Sequence, residues 1–398
     1  IIRAVYSSSN GLEKRPKLRF PGFDEPYKQC RIGDIYAERS QRGASDMELL
    51  SVTMNDGVKP RSEIEGKDNS SEDKSNYKIV RKGDMVYNSM RMWQGANGIS
   101  PCDGIVSPAY TVLMPKQEIN NGYFAALFKS ANLINEFRKN SQGMTSDTWN
   151  LKYPQIETIK VQIPSVSEQD KVSEMFSVLD ERIAAQSQLV ESLKKYKRGL
   201  LSQLIAQKKA FDTSGEWKTV KLGHIFKERT ERAKGNETLL AVTISNGVQR
   251  RDEIDLKDNS SDDKSNYKCV YIGDIAYNTM RMWQGASGVS PYNGIVSPAY
   301  TIVTPIRPDL HNMTFWAYYF KYSPLVHTFQ KYSQGLTSDT WNLKFPQFSE
   351  IAVTMPPISE QDKIAECLSV FDEHCKCEDE KLQALLQVRT SLLQQLFI

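Results

Sequence analysis

The sequence contains the same module twice. Within its 398 residues, the segment Lys67–Lys78 returns almost unchanged as Lys257–Lys268, and Met90–Gly95 returns as Met280–Gly285, each 190 positions later. Solenoid repeats have periods of roughly 20–50 residues, so a period this long indicates a duplicated domain. Two copies of one surface predict two copies of one target.

Each module is followed by Ser-Glu-Gln-Asp-Lys, at 167–171 and 359–363, and then by a long segment whose apolar residues recur at steps of three and four. Ser167 and Ser359 are the predicted N-caps, and the acidic residues behind them suit the positive end of a helix dipole. A helix of about 38 residues spans roughly 57 Å, which exceeds one module. Its single apolar stripe requires a partner. We expect the two helices to form an intramolecular antiparallel coiled coil; the alternative is that each packs on its own module.

Short apolar segments between Gly, Asn, Asp and Pro residues predict strands within each module. These strands are Leu49–Met54, Met85–Asn88, Ile105–Met114 and Ile159–Ile163, with counterparts Leu239–Ile244, Ile275–Asn278, Ile295–Val303 and Ile351–Met355. Helical apolar spacing predicts one helix over Tyr123–Phe137 and its counterpart over Met313–Phe329. The predicted fold class is α+β, with two mixed α/β modules joined by two long antiparallel helices in a pseudo-two-fold arrangement. The predicted divisions are a lead-in (1–20), a first module (21–165), a central helix (166–208), a second module (209–357) and a distal helix (358–398).

Composition limits the classes of function. The formal net charge is only +3 with 25% charged residues, so any nucleic-acid surface must come from local clustering of charge. No run of eighteen apolar residues and no signal-peptide pattern is present, which argues against membrane insertion and secretion. The six cysteines mostly fail to recur between the modules, whereas a disulfide framework would repeat with the domain. We therefore expect a reducing cytoplasm.

Catalytic patterns are not found in the sequence. The four histidines (224, 311, 327 and 374) all lie in the second copy, so no histidine-dependent reaction is duplicated. The cluster His374-Cys375-Lys-Cys377 suggests a metal site, but residues i and i+2 of a helix diverge by about 200°. Phosphate-binding loops and Gly-x-Gly cofactor fingerprints are absent. We predict no catalytic residue, no metal and no cofactor for this chain.

Three polar segments recur in both modules and carry side chains suited to DNA. The first offers small donors that position a protein on phosphates. The second, flanked by glycine, carries Arg, which can bond guanine bidentately, with Asn and Gln, which can bond adenine. The third is a Ser- and Thr-rich loop closed by Trp. The candidate DNA-binding residues are Lys74, Ser75, Asn76, Tyr77, Asn88, Arg91, Trp93, Gln94, Gln142, Thr145, Ser146 and Asn150 in the first module, and Lys264, Ser265, Asn266, Tyr267, Asn278, Arg281, Trp283, Gln284, Gln334, Thr337, Ser338 and Asn342 in the second.

Structural roles are the alternative for these residues. Trp93 and Trp149 could belong to the core, and the polar residues could simply form turns. For Arg91 the functional interpretation is favoured, because an unpaired buried arginine is costly whereas an arginine on a loop is free to contact DNA.

Taken together, the pattern resembles the specificity subunit of type I restriction-modification enzymes across essentially the whole chain. The resemblance is carried by the alternation of two modules with two long helices, the segment Lys17–Phe23, the Gly-Ile-Val-Ser-Pro-Ala-Tyr segments at 104–110 and 294–300, and the Ser-Glu-Gln-Asp-Lys helix starts. It implies that each module is a target-recognition domain for one half of a split double-stranded DNA site. It also implies that the helices act as a spacer and docking surface for two methyltransferase subunits, which restriction subunits join for cleavage.

The same resemblance implies that this subunit is non-catalytic and that S-adenosylmethionine, ATP and Mg bind to the partner subunits. Members of the family usually carry two dissimilar recognition modules, whereas these two are near-duplicates, so we expect a near-palindromic target. Two other classes of protein remain open. One is an autonomous DNA methyltransferase or nuclease with unrecognised motifs, and the other is a duplicated scaffold that binds protein instead of DNA.

Overall fold

The computed structural model describes residues 3–4, 16–43, 46–54, 57–66, 68, 70–209, 211, 215–235, 237–254 and 263–398. The predicted lead-in (1–20) lies largely outside the described residues, as does the segment 257–262 of the second repeat. The chain divides into two compact units, Ile1–Ser187 with Glu380–Ile398, and Gln188–Asp379. Each unit contains one module and a segment of both long helices. In the described part of the chain, no helix has the length and apolar character needed to span a bilayer.

The first unit contains short strands and short helices before the long helix begins. Its strands are Arg3–Ala4, Leu18–Arg19, Lys28–Arg31, Tyr36–Glu38, Leu50–Val52, Val58–Pro60, Lys78–Val80, Met85–Asn88, Asn97–Ile99, Gly104–Val106, Tyr110–Pro115 and Lys160–Ile163. Its α-helices are Ile32–Ile35, Asn121–Leu127, Ala131–Asn140 and Tyr153–Ile156, with 3-10 turns at Arg61–Glu63 and Met92–Gln94. The long helix Val166–Ile205 begins in this unit.

The second unit repeats this order. Its strands are Lys218–Lys221, Phe226–Glu228, Leu240–Thr243, Gly247–Arg250, Lys268–Val270, Ile275–Asn278, Ser287–Val289, Gly294–Val296, Tyr300–Pro305 and Ala352–Met355. Its α-helices are Leu222–Ile225, Met313–Tyr319, Ser323–Tyr332 and Phe345–Ser349, with 3-10 turns at Arg251–Glu253, Met282–Gln284 and Pro308–Leu310. The second long helix, Ile358–Gln395, begins in this unit. The predicted mixture of strands and helices is confirmed.

A four-stranded antiparallel sheet positions the candidate site in each module. In the first module its order is Tyr36–Glu38, Tyr110–Pro115, Met85–Asn88 and Asn97–Ile99, and in the second Phe226–Glu228, Tyr300–Pro305, Ile275–Asn278 and Ser287–Val289. Asn88 lies opposite Tyr110, and Asn278 lies opposite Tyr300. The residues before Asn88 in its strand are fully buried, whereas Asn88 itself is half-buried. The strand therefore ends two residues before the chain becomes exposed at Met90.

Two predicted elements of each module are divided in the structure. The predicted strand Ile105–Met114 is broken at Pro108, which lacks an N–H, and Tyr110 N donates to Ser107 O across the turn at 2.9 Å. The predicted helix Tyr123–Phe137 was wrong as one element, because Ser130 caps a second helix by accepting from Leu133 N.

The counterparts in the second module are divided in the same way. Gly294–Val296 and Tyr300–Pro305 replace the predicted strand Ile295–Val303. Met313–Tyr319 and Ser323–Tyr332 replace the predicted helix. Pro324 stands in the first turn of the second of these helices, and because it has no N–H to donate to Phe320 O, one continuous helix through this point is disfavoured.

Each module buries its core against both long helices. In the first unit, Phe176 of one helix stacks on Phe397 beyond the end of the other, with ring centroids 6.0 Å apart. Both rings belong to the same buried cluster as Tyr123 and Phe124. In the second unit, the buried cluster contains residues from both helices, which are Leu201, Leu204, Ile205, Ile364, Ala365 and Leu368. The alternative in which each helix packs only on its own module is therefore wrong.

Within each unit the two helix segments run antiparallel. In the first unit, Asp180 pairs with Arg389, while the earlier Phe176 contacts the later Phe397. In the second unit, Lys194 pairs with Asp379 at 3.4 Å, while the later Lys197 pairs with the earlier Asp372. The exposed ion pairs contribute roughly 0–1 kcal/mol each, so most of the attraction comes from the buried apolar side chains.

The predicted N-caps Ser167 and Ser359 are wrong by two residues. The first helix begins at Val166, and the backbone N–H groups of Glu168 and Gln169 both donate to Ser165 O at 3.0 Å. The second begins at Ile358, where Pro357 O receives the equivalent bonds. Both serines therefore stand inside the first turn, and the Glu, Gln and Asp that follow them are free for tertiary contacts.

The residues Glu-Gln-Asp of the repeated Ser-Glu-Gln-Asp-Lys segment join each long helix to its module. Gln169 accepts from Asn120 N at 3.0 Å and donates to Pro164 O at 3.0 Å, and Asp170 accepts from the Asn120 side chain at 2.7 Å. Gln361 and Asp362 make the same bonds with Asn312. Asn120 also caps the helix Asn121–Leu127. The start of the long helix and a helix of the module are thus fixed to each other by a continuous hydrogen-bond network.

Candidate nucleic-acid interface

The polar segment around Arg91 is a turn of defined shape. Asn88 Oδ1 accepts from Met90 N at 3.0 Å, and Arg91 N donates to Asn88 O at 3.0 Å. The turn ends at Gly95, whose φ of +84° is readily available only to glycine. Asn278 and Gly285, with φ of +79°, form the same turn in the second module. The amide oxygens of Asn88 and Asn278 therefore hold the turn, and each has one lone pair left for a contact with adenine.

Each candidate tryptophan packs against the tryptophan that closes the Ser- and Thr-rich loop of its module. Trp93 and Trp149 meet edge to face with ring centroids 5.1 Å apart, and Trp283 and Trp341 do so at 5.2 Å. Trp93 Nε1 donates to Met90 O at 3.1 Å. All four rings are half-buried and lie outside the buried core clusters. The pair therefore fastens the segment around Arg91 to the Ser- and Thr-rich loop.

The Ser- and Thr-rich loop docks on the same turn through its backbone. Gln142 and Asn150 exchange two backbone hydrogen bonds, of 3.0 and 2.8 Å, which close the loop. Leu151 N then donates to Ser89 O at 2.8 Å. In the second module Gln334 pairs with Asn342, and Leu343 N donates to Thr279 O at 2.9 Å. Thr145, Ser146, Thr337 and Ser338 are exposed on these loops.

Arg91 and Arg281 are exposed at equivalent positions. Within the described ranges, neither guanidinium has a hydrogen bond or ion pair to another side chain or to the backbone. The backbone at the two positions is nearly the same, with φ, ψ of −126°, 8° and −128°, 10°. Gln94 is half-buried, and Gln284 is exposed. Each module thus presents an arginine with unused donors from a fixed turn, which is the geometry that bidentate recognition of guanine requires.

The segment Lys74–Tyr77 has a mixed character. Ser75 and Asn76 are exposed and Lys74 is half-buried, but Tyr77 is buried and its hydroxyl accepts from Ser71 N at 3.1 Å. Ser265 and Asn266 are exposed, Lys264 is half-buried and Tyr267 is buried in the second module. The two tyrosines therefore support the segments from inside and have little surface for a phosphate contact.

A lysine that sequence reasoning missed connects this segment to the sheet. Lys78 Nζ donates to Tyr110 O at 2.8 Å and pairs with Glu38 at 3.1 Å, and Tyr110 is the strand partner of Asn88. Lys268 makes the same contacts in the second module. The segment Lys74–Tyr77 is therefore attached beside the strand end from which Arg91 projects. The recurrence of Lys78 inside the repeated segment Lys67–Lys78 was the available signal.

Further cations surround the docked loops. The guanidinium of Arg138 lies 5.7 Å from the centre of the Trp149 ring. In the second module, Lys321 Nζ donates to Gly285 O at 2.7 Å and to Ile244 O at 2.9 Å. Burial, with a smaller contribution from Lys197, lowers the pKa of Lys321 to about 8. Lys321 therefore fixes the end of the turn that carries Arg281.

The clusters considered for metal chemistry are dispersed. Cys375 is buried whereas His374 and Cys377 are exposed, as expected for neighbouring residues on one helix. Burial lowers the pKa of His311. Across the described residues, no group of three or more His, Cys, Asp and Glu side chains is arranged to hold a metal ion.

Comparison with known proteins identifies the class to which this architecture belongs. A family model of the type I restriction modification DNA specificity domain matches the chain twice, over residues 25–195 and 214–387. The fold is similar to that of the type I restriction-modification system S subunit from M. genitalium, with a TM-score of 0.60 and 14% sequence identity over 97% of this chain and 99% of that chain. It is also similar to a chain from a structural study of complex assembly and conformational transition of the type I R-M system, with a TM-score of 0.57 and 15% identity over 94% and 97% of the two chains.

The duplicated match defines a protein with two DNA specificity domains. The chain belongs to the family of type I restriction-modification DNA specificity proteins. Specificity subunits of these systems bind DNA in complex with other subunits and are non-catalytic. The alternative of an autonomous methyltransferase or nuclease is therefore wrong, and the DNA specificity of the family also argues against a scaffold that binds only protein.

Proposed function

We propose that each module reads one half of a split double-stranded DNA target, with Arg91 and Arg281 as the principal base-reading residues. The observation that carries this proposal is the same exposed arginine, with unused donors, on the same fixed turn of both modules. Arginine is the side chain most often used to read guanine in the major groove. Gln94 and Gln284 stand three residues further along these turns and are candidates for the neighbouring base.

The remaining polar residues fit a positioning role on the DNA backbone. Ser75, Asn76, Thr145 and Ser146 are exposed, with Ser265, Asn266, Thr337 and Ser338 in the second module, and Lys74 and Lys264 supply positive charge. Contacts of this kind set the orientation of a protein on duplex DNA without reading its sequence. The paired residues Gln142 and Asn150, and Gln334 and Asn342, close the loops that present them.

The two half-sites are inverted repeats of one another, or differ at only a base or so, with an unread spacer between them. This follows because the candidate contacts are nearly identical in the two modules, and because two-fold symmetry in a protein is mirrored in its DNA site. The long helices set the spacer. Inserting four residues into each helix adds about 5–6 Å and is expected to lengthen the preferred spacer by one or two base pairs of about 3.4 Å, with unchanged half-sites.

The long helices also dock the partner subunits, which are two methyltransferase subunits and, for cleavage, restriction subunits. Support comes from large apolar side chains that are exposed along both helices, at Val178, Leu189, Tyr196, Val370, Leu386 and Val388. Contiguous apolar surface marks protein interaction sites, and these side chains would contribute to such a surface. S-adenosylmethionine, ATP and Mg bind to those subunits.

Reconstitution tests this function. The purified chain alone is expected neither to methylate nor to cut DNA, and a cognate methyltransferase subunit with S-adenosylmethionine is expected to restore sequence-specific methylation. The chain alone should also show no binding of S-adenosylmethionine in a titration. Methylation by the rigorously purified chain, or methylation by the complex without sequence preference, would contradict the proposal.

A further inference from the structure

The tip of the Ser- and Thr-rich loop carries an apolar side chain that points into solvent in both modules. Met144 is 96% exposed and Leu336 is 99% exposed. The other exposed large apolar side chains of the described residues are between 37% and 66% exposed. The two positions are equivalent, each following the glycine of Gln-Gly-x-Thr-Ser-Asp-Thr-Trp-Asn. The residue type has changed between the modules while its apolar character and exposure have not.

The loop that holds Met144 cannot fold its tip back onto the module without losing its internal bonds. Thr145 N donates to Thr148 Oγ1 at 3.1 Å, and Trp149 N donates to Thr145 O at 3.1 Å. Gly143 has φ of +141°, and a Cβ atom at this position would lie 2.6 Å from Thr148 O. Thr337, Thr340 and Gly335 repeat the arrangement in the second module. The backbone therefore holds the apolar side chain away from the protein.

An apolar side chain held in solvent does not contribute the favourable free energy of burial to folding. Burying a Met or Leu side chain contributes roughly 1.5–3 kcal/mol, and neither Met144 nor Leu336 obtains it from the protein. A single exposed apolar residue is ordinary, but an almost fully exposed apolar residue at the same position of a hydrogen-bonded loop in both modules is not explained by chance exposure. The loop is fastened to the Arg91 turn by the Trp93–Trp149 contact. Met144 thus extends the surface assigned to DNA.

We propose that Met144 and Leu336 are apolar DNA contacts, each becoming buried against the bases of its half-site when the target binds. Apolar side chains contact DNA bases either at the 5-methyl group of thymine or between base steps that they partly unstack. Both contacts bury the tip in a groove and involve no phosphate. The inference rests on the proposed function, since it requires that the Arg91 turn faces DNA.

The test compares Met144→Ala and Leu336→Ala in the complex with the methyltransferase subunit, on duplexes that carry the mapped target. Each variant is expected to weaken binding of target DNA by about 10-fold, which corresponds to roughly 1.4 kcal/mol. Binding of unrelated DNA and the salt dependence should not change, because no ionic contact is removed. The exchanges Met144→Leu and Leu336→Met should preserve affinity. Ile272→Ala is the matched control, since Ile272 is 66% exposed on a different turn.

Modified bases distinguish the two kinds of contact. Replacing each thymine of the half-site by deoxyuridine removes one methyl group, and at a contacted position it should reproduce the loss seen with Met144→Ala. A wedge between base steps should instead raise the fluorescence of 2-aminopurine at the contacted step, and Met144→Ala should abolish that rise. Either signature supports the proposal.

The proposal is overturned if both alanine variants bind target DNA like the unchanged chain. It is also overturned if they lower affinity for unrelated DNA by the same factor or lower the midpoint of thermal unfolding. Its failure is distinguishable from failure of the proposed function. If Arg91→Ala loses half-site discrimination while Met144→Ala binds normally, only the proposed tip contact is contradicted. If both variants behave normally, the tip contact and the proposed function are both contradicted.

Discussion

The first turns of the two long helices carry the same buried glutamate with different partners. Glu168 accepts two hydrogen bonds of 2.8 Å from the guanidinium of Arg19. Glu360 accepts one of 3.0 Å from the indole of Trp217. Arg19, Glu168 and Glu360 are each at most 5% exposed. Arg19 of the lead-in is thus tied by an ion pair to the helix that follows the first module, and Trp217 at the start of the second module is tied by a neutral donor to the helix that follows it.

The candidate DNA surfaces differ far less than these anchors. The turns of Arg91 and Arg281 share their backbone geometry, their asparagine bond and their tryptophan pair. A buried carboxylate needs a donor but does not require a particular one, so its partner can change between copies. Base readout depends on the identity of the side chain. The comparison teaches that the copies have diverged at the donor that meets this buried glutamate and have stayed alike where we place DNA.

The largest effect is expected from breaking the two anchors. Arg19→Met leaves Glu168 buried without its cation and should lower the free energy of unfolding of the first unit by roughly 3–5 kcal/mol. Trp217→Phe removes one donor from Glu360 and should cost the second unit roughly 1–3 kcal/mol. Hydrogen exchange of peptides from the two helix starts measures both. Lys17→Met, at an exposed lead-in position, is the control. Equal costs for the two variants would remove the distinction between an ionic and a neutral anchor.

The next effect concerns base readout by the two modules. Arg91→Ala should damage discrimination at one half-site and Arg281→Ala at the other, each by roughly 1–3 kcal/mol, if the contact to guanine is bidentate. Competition binding with duplexes mutated in one half-site measures this. Arg307→Ala is the control, because Arg307 is exposed but paired with Asp309. Intact discrimination in Arg91→Ala would show that the segment 88–94 does not read bases.

A smaller effect is expected from a lysine that holds the DNA backbone. Lys74→Ala should weaken binding of all sequences about equally and reduce the slope of log affinity against log salt by about one. Binding titrations at several salt concentrations measure the slope. Lys74→Arg retains the positive charge and should preserve the slope. A loss of affinity for only one DNA sequence would show that Lys74 reads bases and does not contact a phosphate.

The smallest effect exchanges a residue that differs beside the tryptophan pairs. Arg138 lies against Trp149, whereas the equivalent position in the second module is Gln330. An exposed cation–π contact contributes roughly 0.5–1 kcal/mol. Arg138→Gln should therefore loosen the 142–150 loop slightly, and Gln330→Arg should tighten its counterpart, as measured by hydrogen exchange of the two loops. Opposite changes would assign Arg138 to another partner.

Much of the framework was predictable because its signals are local. Met85–Asn88 and Ile275–Asn278 have the predicted bounds, since apolar and aromatic residues are bounded there by turn residues. The break between helices at Ser130 was not predictable, because the apolar spacing continues through it while a serine cap starts a new helix. The Ser167 cap was misplaced because helix starts are set by which carbonyl accepts the first bonds.

The site was predictable only in part. Duplication marked Arg91 and Trp93 as recurring residues, but their contacts depend on tertiary structure. Trp149 reaches Trp93 from a loop far along the chain, and no local pattern encodes that approach. The burial of Tyr77 and the tertiary bonds of Glu168 were not predicted from the sequence for the same reason. In a polar segment, the residues that hold the framework and the residues that face solvent are of the same types, so residue type does not distinguish them.

The central claim is that two near-identical modules read two near-identical half-sites. It is tested most directly by mapping methylated adenines in the DNA of a cell that carries this chain and its methyltransferase subunit as the only methylating system. The account predicts a split motif whose halves are inverted repeats, or differ at only a base or so, across a spacer of fixed length. Two unrelated half-sites would contradict it.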